Sequence, residues 1–182
     1  MQSKMFAAAI VIALSGAVTL AQQGRGNRMT AKATIKGDNI TGTALLAERA
    51  QGTGTMVEIT LTMNGLTPGR HGVHLHAVGK CEPDFAAAGG HFDPGPAGNP
   101  DPDANHPYHM GDIPNLEVGA NGRGSLKIMT TRVSLAAGPL SVFDADGTAI
   151  VVHGNPDQGV TGEPKSGVSG GPRVACGVVT KQ

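Results

Sequence analysis

Glycine and proline constrain the fold of this chain more than any other feature of its sequence. Of the 182 residues, 28 are glycine and 12 are proline. Glycine at this frequency interrupts helices, so the sequence is a poor match for a helical bundle or a coiled coil. Hydrophobic residues still make up 39% of the chain and charged residues only 15%, which distinguishes it from a disordered polyelectrolyte. We therefore expect a β protein with many loops.

The charged and aromatic residues argue against a nucleic-acid partner. Lysine plus arginine and aspartate plus glutamate number 14 each, without a basic block, so no strongly positive face is expected for a phosphate backbone. The chain has four phenylalanines, one tyrosine and no tryptophan. These are too few to form the aromatic platforms on which single-stranded nucleic acid stacks.

The first residues have the order of a secretory signal peptide. Lys4 gives a positive start, residues 5–20 are largely apolar, and the small residue Ala21 precedes a polar segment. We expect residues 1–21 to be cleaved, residues 22–28 to be a flexible linker and residues 29–182 to form one domain. A membrane anchor is the alternative, but the apolar stretch is short for a span. Cleavage implies a periplasmic or secreted protein without stable membrane association.

The chain has two cysteines, Cys81 and Cys176. In an oxidising compartment, a single distant pair is most simply interpreted as one intramolecular disulfide. A pair of unrelated buried thiols is the alternative.

Short segments that alternate apolar and polar residues, or are rich in β-branched residues, predict strands. They cover residues 31–36, 40–46, 56–63, 116–118, 126–129, 149–153 and 174–179. The pair Asn121-Gly122 predicts a tight hairpin between two of them. Regular short strands with glycine-rich turns are typical of an antiparallel sandwich or barrel.

Two segments do not fit this pattern of strands. Residues 81–112 contain six of the twelve prolines, and residues 154–172 are rich in both glycine and proline. Long irregular loops are uncommon in compact domains and usually have a function. We expect two long functional loops.

All seven histidines lie between residues 71 and 153. His74 and His76 fall on one face of a strand, because side chains alternate with period two. Two adjacent imidazoles suit Cu(II) or Zn(II). His109 and Asp112 add a nitrogen and an oxygen donor that zinc accepts, and His153 ends an apolar strand. The histidines together predict a metal site.

Five blocks of sequence, taken in order, are similar to copper/zinc superoxide dismutase, in particular to its exported bacterial type. The blocks are His71-Gly72-Val73-His74-Leu75-His76, Gly89-Gly90-His91-Phe92-Asp93-Pro94, His109-Met110-Gly111-Asp112, Val151-Val152-His153 and Arg173-Val174-Ala175-Cys176-Gly177-Val178. The resemblance runs from about residue 30 to the C-terminus. It implies an all-β fold, an eight-stranded antiparallel Greek-key barrel or sandwich.

The resemblance also implies two metal ions that share one ligand. The copper ligands implied are His74, His76, His91 and His153. The zinc ligands implied are His91, one further histidine, His109 and Asp112. His91 bridges the two metals as an imidazolate, because only histidine carries two donors on one rigid ring. His71 matches a framework histidine on the opposite face of the strand.

The second zinc histidine departs from the family pattern. That residue usually lies halfway between the bridging histidine and the His109 block, where this chain has Asn99 and Pro100. His106 is the remaining histidine and therefore the candidate. A zinc site completed by water, Asp101 or Asp103, or a weakened site, is the alternative.

Two further residues take roles from the resemblance. Asp157 matches an aspartate that joins a copper ligand to a zinc ligand through hydrogen bonds, although an aspartate in a turn is an alternative. Arg173 matches an arginine that guides the substrate. The alternative is a solvated surface arginine without a functional role. The implied activity is that of an oxidoreductase that converts superoxide to oxygen and hydrogen peroxide by redox cycling of copper.

Three other functions remain open at this point. A metal-buffering protein uses the same ligands without turnover. A copper chaperone carries an exposed thiolate or thioether pair, and no cysteine pair of that kind occurs here. A catalytically silent relative normally lacks a ligand. The sequence also leaves open whether the protein is a monomer or a homodimer.

Overall fold

The computed structural model describes residues 28–95 and 101–182. The expected signal peptide, all of the expected linker except Arg28, and Asn99 and Pro100 lie outside the described residues. Among the described residues, no helix has the length and apolar character needed to cross a membrane.

The regular elements of the described residues are strands and one short 3-10 helix, Phe85–Ala88. The strands are β1 (Thr30–Gly37), β2 (Thr41–Gln51), β3 (Gly54–Asn64), β4 (Gly69–His71), β5 (Val73–His76), β6 (Leu116–Val118), β7 (Arg123–Thr130), β8 (Ala149–His153) and β9 (Arg173–Lys181). Each strand segment expected from the sequence lies within or largely overlaps one of these strands, so the all-β prediction is confirmed.

The strands form one antiparallel sheet in the order β4-β6-β7-β3-β2-β1-β9-β8-β5. The two end strands, β4 and β5, follow each other in the chain and are separated only by Gly72. The sheet must therefore curl until its two ends meet, as in a barrel. The count is nine rather than eight because the segment 69–76 changes its pairing partner at Gly72, from β6 to β8.

The core follows from the period-two alternation of the strands. Alternate residues are buried: Ala31, Ala33 and Ile35 in β1, and Val57, Ile59, Leu61 and Met63 in β3. Strand β8 is buried on both faces. Its Ile150 and Val152 join the main core, whereas Ala149 and Val151 pack with Ala88 in a smaller cluster. His153 therefore ends a strand that is fixed on both sides.

The predicted hairpin at Asn121-Gly122 is confirmed and joins β6 to β7. Gly122 has φ of +72°, a conformation that glycine adopts without steric cost. The Asn121 side-chain oxygen accepts a hydrogen bond from the Arg123 backbone N–H at 3.1 Å. The Asn-Gly pair thus supplies both the turn conformation and a polar partner for the chain that leaves it.

The disulfide between Cys81 and Cys176 is present, with Cα atoms 5.7 Å apart and a sequence separation of 95. It attaches the start of the first long loop to β9. The two cysteines pack in the smaller apolar cluster with Ala88 and Val151. The bridge therefore fixes the position of the loop over β8 and β9.

Removal of the disulfide should destabilise the protein. Closing a loop of this length restricts the unfolded chain, and the loss of such a bridge costs about 2 to 5 kcal/mol. We expect Cys81→Ser/Cys176→Ser to lower the free energy of unfolding of the metal-free protein by that amount in urea. Wild-type protein reduced with a thiol should match the double variant. Identical urea midpoints for oxidised wild type and double variant would contradict this expectation.

Candidate metal centre

Two histidines of β5 lie on the face of the strand turned away from the main core. Val73 and Leu75 point into the core, and His74 and His76 point to the other side. Both histidine side chains have 0% exposure, because the two long loops cover them. Their ring centroids are 6.3 Å apart. The shared face expected from the spacing is therefore observed.

The first long loop runs alongside β5 and brings further ligand types to it. The Leu75 N–H donates to the Gly111 carbonyl at 3.0 Å, and the Leu75 carbonyl accepts from the Phe92 N–H at 2.8 Å. A Cβ on Gly111 would collide with the Leu75 carbonyl oxygen, so this close approach requires glycine. The pairing places the neighbouring residues His91 and Asp112 beside the histidines of β5.

Four buried histidines converge on one point; we call them the four-histidine group. They are His74, His76, His91 and His153, whose potential ligand atoms lie within 4.8 Å of one another. Each has one ring nitrogen that is buried without a hydrogen-bond partner: Nδ1 of His74 and Nε2 of the other three. Buried nitrogen without a partner is costly. A metal ion at this point would satisfy all four nitrogens at once, so the residues fit a metal.

The other nitrogen of each ring is held by an acceptor. The His76 Nδ1 donates to the Gly89 carbonyl at 3.0 Å, and the His153 Nδ1 donates to the Gly171 carbonyl at 3.1 Å. Carbonyl oxygens only accept, so these contacts leave the lone pair on Nε2 of each ring. The backbone therefore selects the tautomer that a metal requires.

Burial keeps the four-histidine group neutral. Burial and the neighbouring His91 lower the pKa of His74 to about 3. Burial lowers the pKa of His153 to about 4, although its hydrogen bond to Gly171 opposes this shift. Burial lowers the pKa of His76 well below its ordinary value as well. Near pH 7 the lone pairs of these rings are therefore free for a metal rather than protonated.

A second set of side chains surrounds the carboxylate of Asp112; we call Asp112, His91, His106 and His109 the Asp112 group. The Nδ1 atoms of the three rings lie 2.6, 3.2 and 3.1 Å from Asp112 oxygens, in that order. Three nitrogens and one carboxylate are a donor set that zinc accepts. Burial raises the pKa of Asp112, but the three histidines outweigh it and hold that pKa well below its ordinary value.

His109 is placed less closely than the rest of the Asp112 group. The potential ligand atoms of His91, His106 and Asp112, together with His74, lie within 4.8 Å of one another, and His109 is outside that set. Its Nδ1 contacts Asp112, while its Nε2 is buried without a partner.

His91 belongs to both groups. Its Nδ1 is hydrogen-bonded to Asp112 Oδ1 at 2.6 Å, and its Nε2 is buried without a partner. The two nitrogens of an imidazole point in different directions from one rigid ring. The residue that the resemblance makes the bridge therefore lies between the two groups.

The carboxylate of Asp157 accepts a hydrogen bond from one histidine of each group. One carboxylate oxygen accepts from His74 Nε2 at 2.9 Å and the other from His106 Nε2 at 2.6 Å. Burial raises the pKa of Asp157, but these hydrogen bonds outweigh it and hold the pKa well below its ordinary value. Burial also lowers the pKa of His106, but Asp112 and Asp157 raise it to about 9.

Arg173 is anchored beside the four-histidine group. Its guanidinium donates to the Phe85 carbonyl at 2.7 Å and to the Gly89 carbonyl at 2.6 Å. The Gly89 carbonyl also holds His76. Arg173, Lys165 and Asp101 line an open cleft of about 430 Å³.

His71 lies in neither group. Its Nδ1 is 2.8 Å from the His153 carbonyl, and its Nε2 is 2.9 Å from the Thr67 carbonyl. It is buried and ties β4 to the end of β8, as expected of a framework residue.

Several features of the centre were not identified from the sequence. The carbonyls of Gly89 and Gly171 orient two rings, and a backbone acceptor has no signature in the sequence. Asp103 was considered only as an alternative zinc ligand. Its carboxylate instead contacts Gly167 and Ser169 of the second long loop.

Comparison with known proteins agrees with this geometry. The family model of copper/zinc superoxide dismutase (SODC) matches residues 40–179. A superoxide dismutase (Cu-Zn) of Caulobacter vibrioides is 42% identical over 129 residues, which cover 68% of this chain and 71% of the relative. A superoxide dismutase (Cu-Zn) of Deinococcus radiodurans is 37% identical over 150 residues, which cover 76% of each chain.

A solved structure extends the similarity to the fold. The crystal structure of the clock protein EA4 matches with a TM-score of 0.70 and 25% sequence identity, covering 87% of this chain and 98% of that chain. The family model spans well over half of the sequence, and it includes every residue of the two groups. The chain therefore belongs to the copper/zinc superoxide dismutase family.

Proposed function

We propose that this protein is a superoxide dismutase, an oxidoreductase that converts two superoxide ions and two protons to dioxygen and hydrogen peroxide. One observation above all supports the proposal. Four buried histidines present unpartnered nitrogens to one point, and one of them, His91, also contacts the Asp112 carboxylate. Membership of the family and the names of the relatives support the same activity.

The donor atoms support an assignment of the metals. We assign copper to His74, His76, His91 and His153, because four imidazole nitrogens suit Cu(II). Zinc is assigned to His91, His106, His109 and Asp112, because zinc accepts nitrogen and carboxylate oxygen together. His106 takes the second zinc position, because its Nδ1 is buried without a hydrogen-bond partner 3.2 Å from the Asp112 carboxylate, while its Nε2 donates to Asp157.

Copper, when bound, supplies one-electron redox chemistry, and zinc supplies a redox-silent positive charge beside it. His91 supplies the proton in this scheme. Its Nδ1 is held on the Asp112 side, and its Nε2 has no protein partner. That Nε2 takes up a proton in one half of the cycle and donates it to the peroxide product in the other half. Solvent provides the second proton.

Arg173 attracts the substrate. The whole chain has equal numbers of basic and acidic residues, so a small anion is guided only by local charge. The guanidinium is fixed by two carbonyls of the first long loop. It stays beside the four-histidine group and provides a positive charge at the mouth of the cleft.

The proposal includes export of the protein from the cytoplasm. Residues 1–21 act as a cleaved signal peptide, 22–28 as a linker and 29–182 as the dismutase domain. The disulfide supports an oxidising compartment, because such bridges are rare in the cytosol. The protein then acts in the periplasm or outside the cell, as a monomer or a homodimer without stable membrane association, and removes superoxide there.

The activity is tested with the mature chain, residues 22–182, loaded with copper and zinc. We expect it to inhibit the reduction of a dye by superoxide and to release hydrogen peroxide, whereas the metal-free protein does neither. His153→Asn should abolish the activity of loaded protein, because it removes one copper ligand. One copper and one zinc per chain without turnover would identify a metal-buffering protein instead.

The zinc assignment is tested by His106→Ala. This substitution removes a proposed zinc ligand and a partner of Asp157, so bound zinc should fall well below one ion per chain while copper is retained. Elemental analysis after dialysis measures both metals. Asp101→Ala removes one of the alternative zinc ligands in the same loop and should keep its zinc. Stoichiometric zinc in His106→Ala would assign the site to other ligands.

The role of Arg173 is tested by its salt dependence. Steering raises association rates by about 10-fold or more and weakens as ionic strength rises. We expect Arg173→Ala to lower the rate with superoxide by about tenfold at low salt and to flatten its dependence on salt. Arg173→Lys keeps the charge and should be intermediate. Arg123→Ala, on β7, is the control. An unchanged rate and salt dependence in Arg173→Ala would remove the steering role.

A further inference from the structure

Asp103 is a buried carboxylate that belongs to neither group of the metal centre. Its exposure is 3%. It accepts hydrogen bonds from the Gly167 N–H at 2.7 Å, the Ser169 N–H at 3.0 Å and the Ser169 hydroxyl at 2.7 Å. A buried charge is costly unless it is compensated. Three donors from one short segment provide that compensation.

These contacts join the two long loops. Asp103 lies on the first loop, three residues before His106, and its donors lie on the second. The backbone adds further contacts, because the Asp103 carbonyl accepts from the Gly162 N–H at 2.9 Å and the His106 carbonyl accepts from the Thr161 hydroxyl at 2.6 Å. Burial raises the pKa of Asp103, but the hydrogen bonds from Gly167 and Ser169 outweigh it and lower that pKa. The carboxylate is thus ionised near pH 7.

The segment that Asp103 holds is also in contact with His153. Gly170 has φ of +117°, and a Cβ at that position would lie 2.7 Å from the Cβ of His153. The next residue, Gly171, offers the carbonyl that accepts from His153 Nδ1 at 3.1 Å. The Gly170 carbonyl accepts from the Asn155 N–H at 3.1 Å. Gly170 and Gly171 therefore lie against His153, and the Gly171 carbonyl selects its tautomer.

We propose that Asp103 is a positioning residue for His153, which it orients through the backbone of residues 167–171. The inference rests on the proposed function, because it takes His153 as a copper ligand. Its carboxylate holds Gly167 and Ser169, this segment places the Gly171 carbonyl, and the carbonyl keeps the proton on Nδ1 and the lone pair on Nε2. A residue of the loop that bears His106 and His109 would thus orient a proposed copper ligand.

The contacts of Asp103 distinguish this role from zinc ligation. Its Oδ1 accepts both donors of Ser169, and its Oδ2 accepts the Gly167 N–H. Both carboxylate oxygens are therefore engaged by the second loop. A substitution at Asp103 should accordingly disturb the copper side and leave zinc in place.

The test uses Asp103→Asn in the mature protein loaded with copper and zinc. The amide keeps the shape of the side chain but removes the charge and one acceptor. Loss of an outer hydrogen-bond partner lowers metal affinity by about 10-fold or more. We expect copper affinity, measured by competition with a chelator, to fall by about tenfold. The electron paramagnetic resonance spectrum of Cu(II) should change, and bound zinc should stay at one ion per chain.

Two further variants serve as a weaker version of this substitution and as a control. Ser169→Ala removes one of the three donors and should shift copper affinity and spectrum in the same direction, but less. Asp144→Asn changes an exposed aspartate of another loop and should match wild type. If Asp103→Asn does not fold, Ser169→Ala still decides the question, because an unchanged copper spectrum and affinity in that variant would overturn the proposal.

A metal-free measurement separates this inference from the proposed activity. With ¹⁵N-labelled histidine, long-range ¹H–¹⁵N correlation reports which ring nitrogen carries the proton. We expect His153 to carry it on Nδ1 in wild type and to become a mixture of tautomers in Asp103→Asn. An unchanged tautomer with an unchanged copper spectrum, or loss of zinc alone, would overturn the positioning role. Absence of dismutase activity in loaded wild type would instead overturn the proposed function, and the tautomer measurement would remain valid.

Discussion

The structure depends on the fact that a neutral imidazole has one nitrogen that donates and one that accepts. In the four-histidine group, the donating nitrogen is used by the protein, through the carbonyls of Gly89 and Gly171 and the carboxylates of Asp112 and Asp157. The accepting nitrogen is left buried and directed to one point. Four such rings are stable together only because burial keeps them uncharged, and the arrangement is then ready for a cation.

One carbonyl illustrates how closely the parts are connected. The Gly89 oxygen accepts from both His76 and Arg173, so a metal-facing ring and the proposed substrate-guiding cation share one anchor. That anchor lies just beyond the 3-10 helix of the first long loop, and the disulfide fixes the start of this loop on β9. The strand that bears Arg173 and the loop that holds it therefore cannot move apart independently.

The sequence predicted those features that follow from local chemistry. Period-two alternation placed His74 and His76 on one face, and Asn121-Gly122 marked the hairpin between β6 and β7. The family resemblance directed attention to His91, His153 and Asp157. The contacts that orient these side chains come from backbone atoms or from distant segments, as with Asp103, and no residue pattern announces them. The division of the strand at Gly72 was not foreseen either, because it depends on the pairing partners and not on the residues alone.

The way in which the sheet ends has a consequence for how the protein meets neighbouring molecules. The two terminal strands, β4 and β5, are only three and four residues long, and they are continuous with each other through Gly72. Long unpaired strand edges are templates for intermolecular pairing, and closure or shortening of edges removes that hazard. A sheet whose end strands are this short offers neighbouring molecules little backbone to pair with, which lowers the hazard of edge-to-edge aggregation.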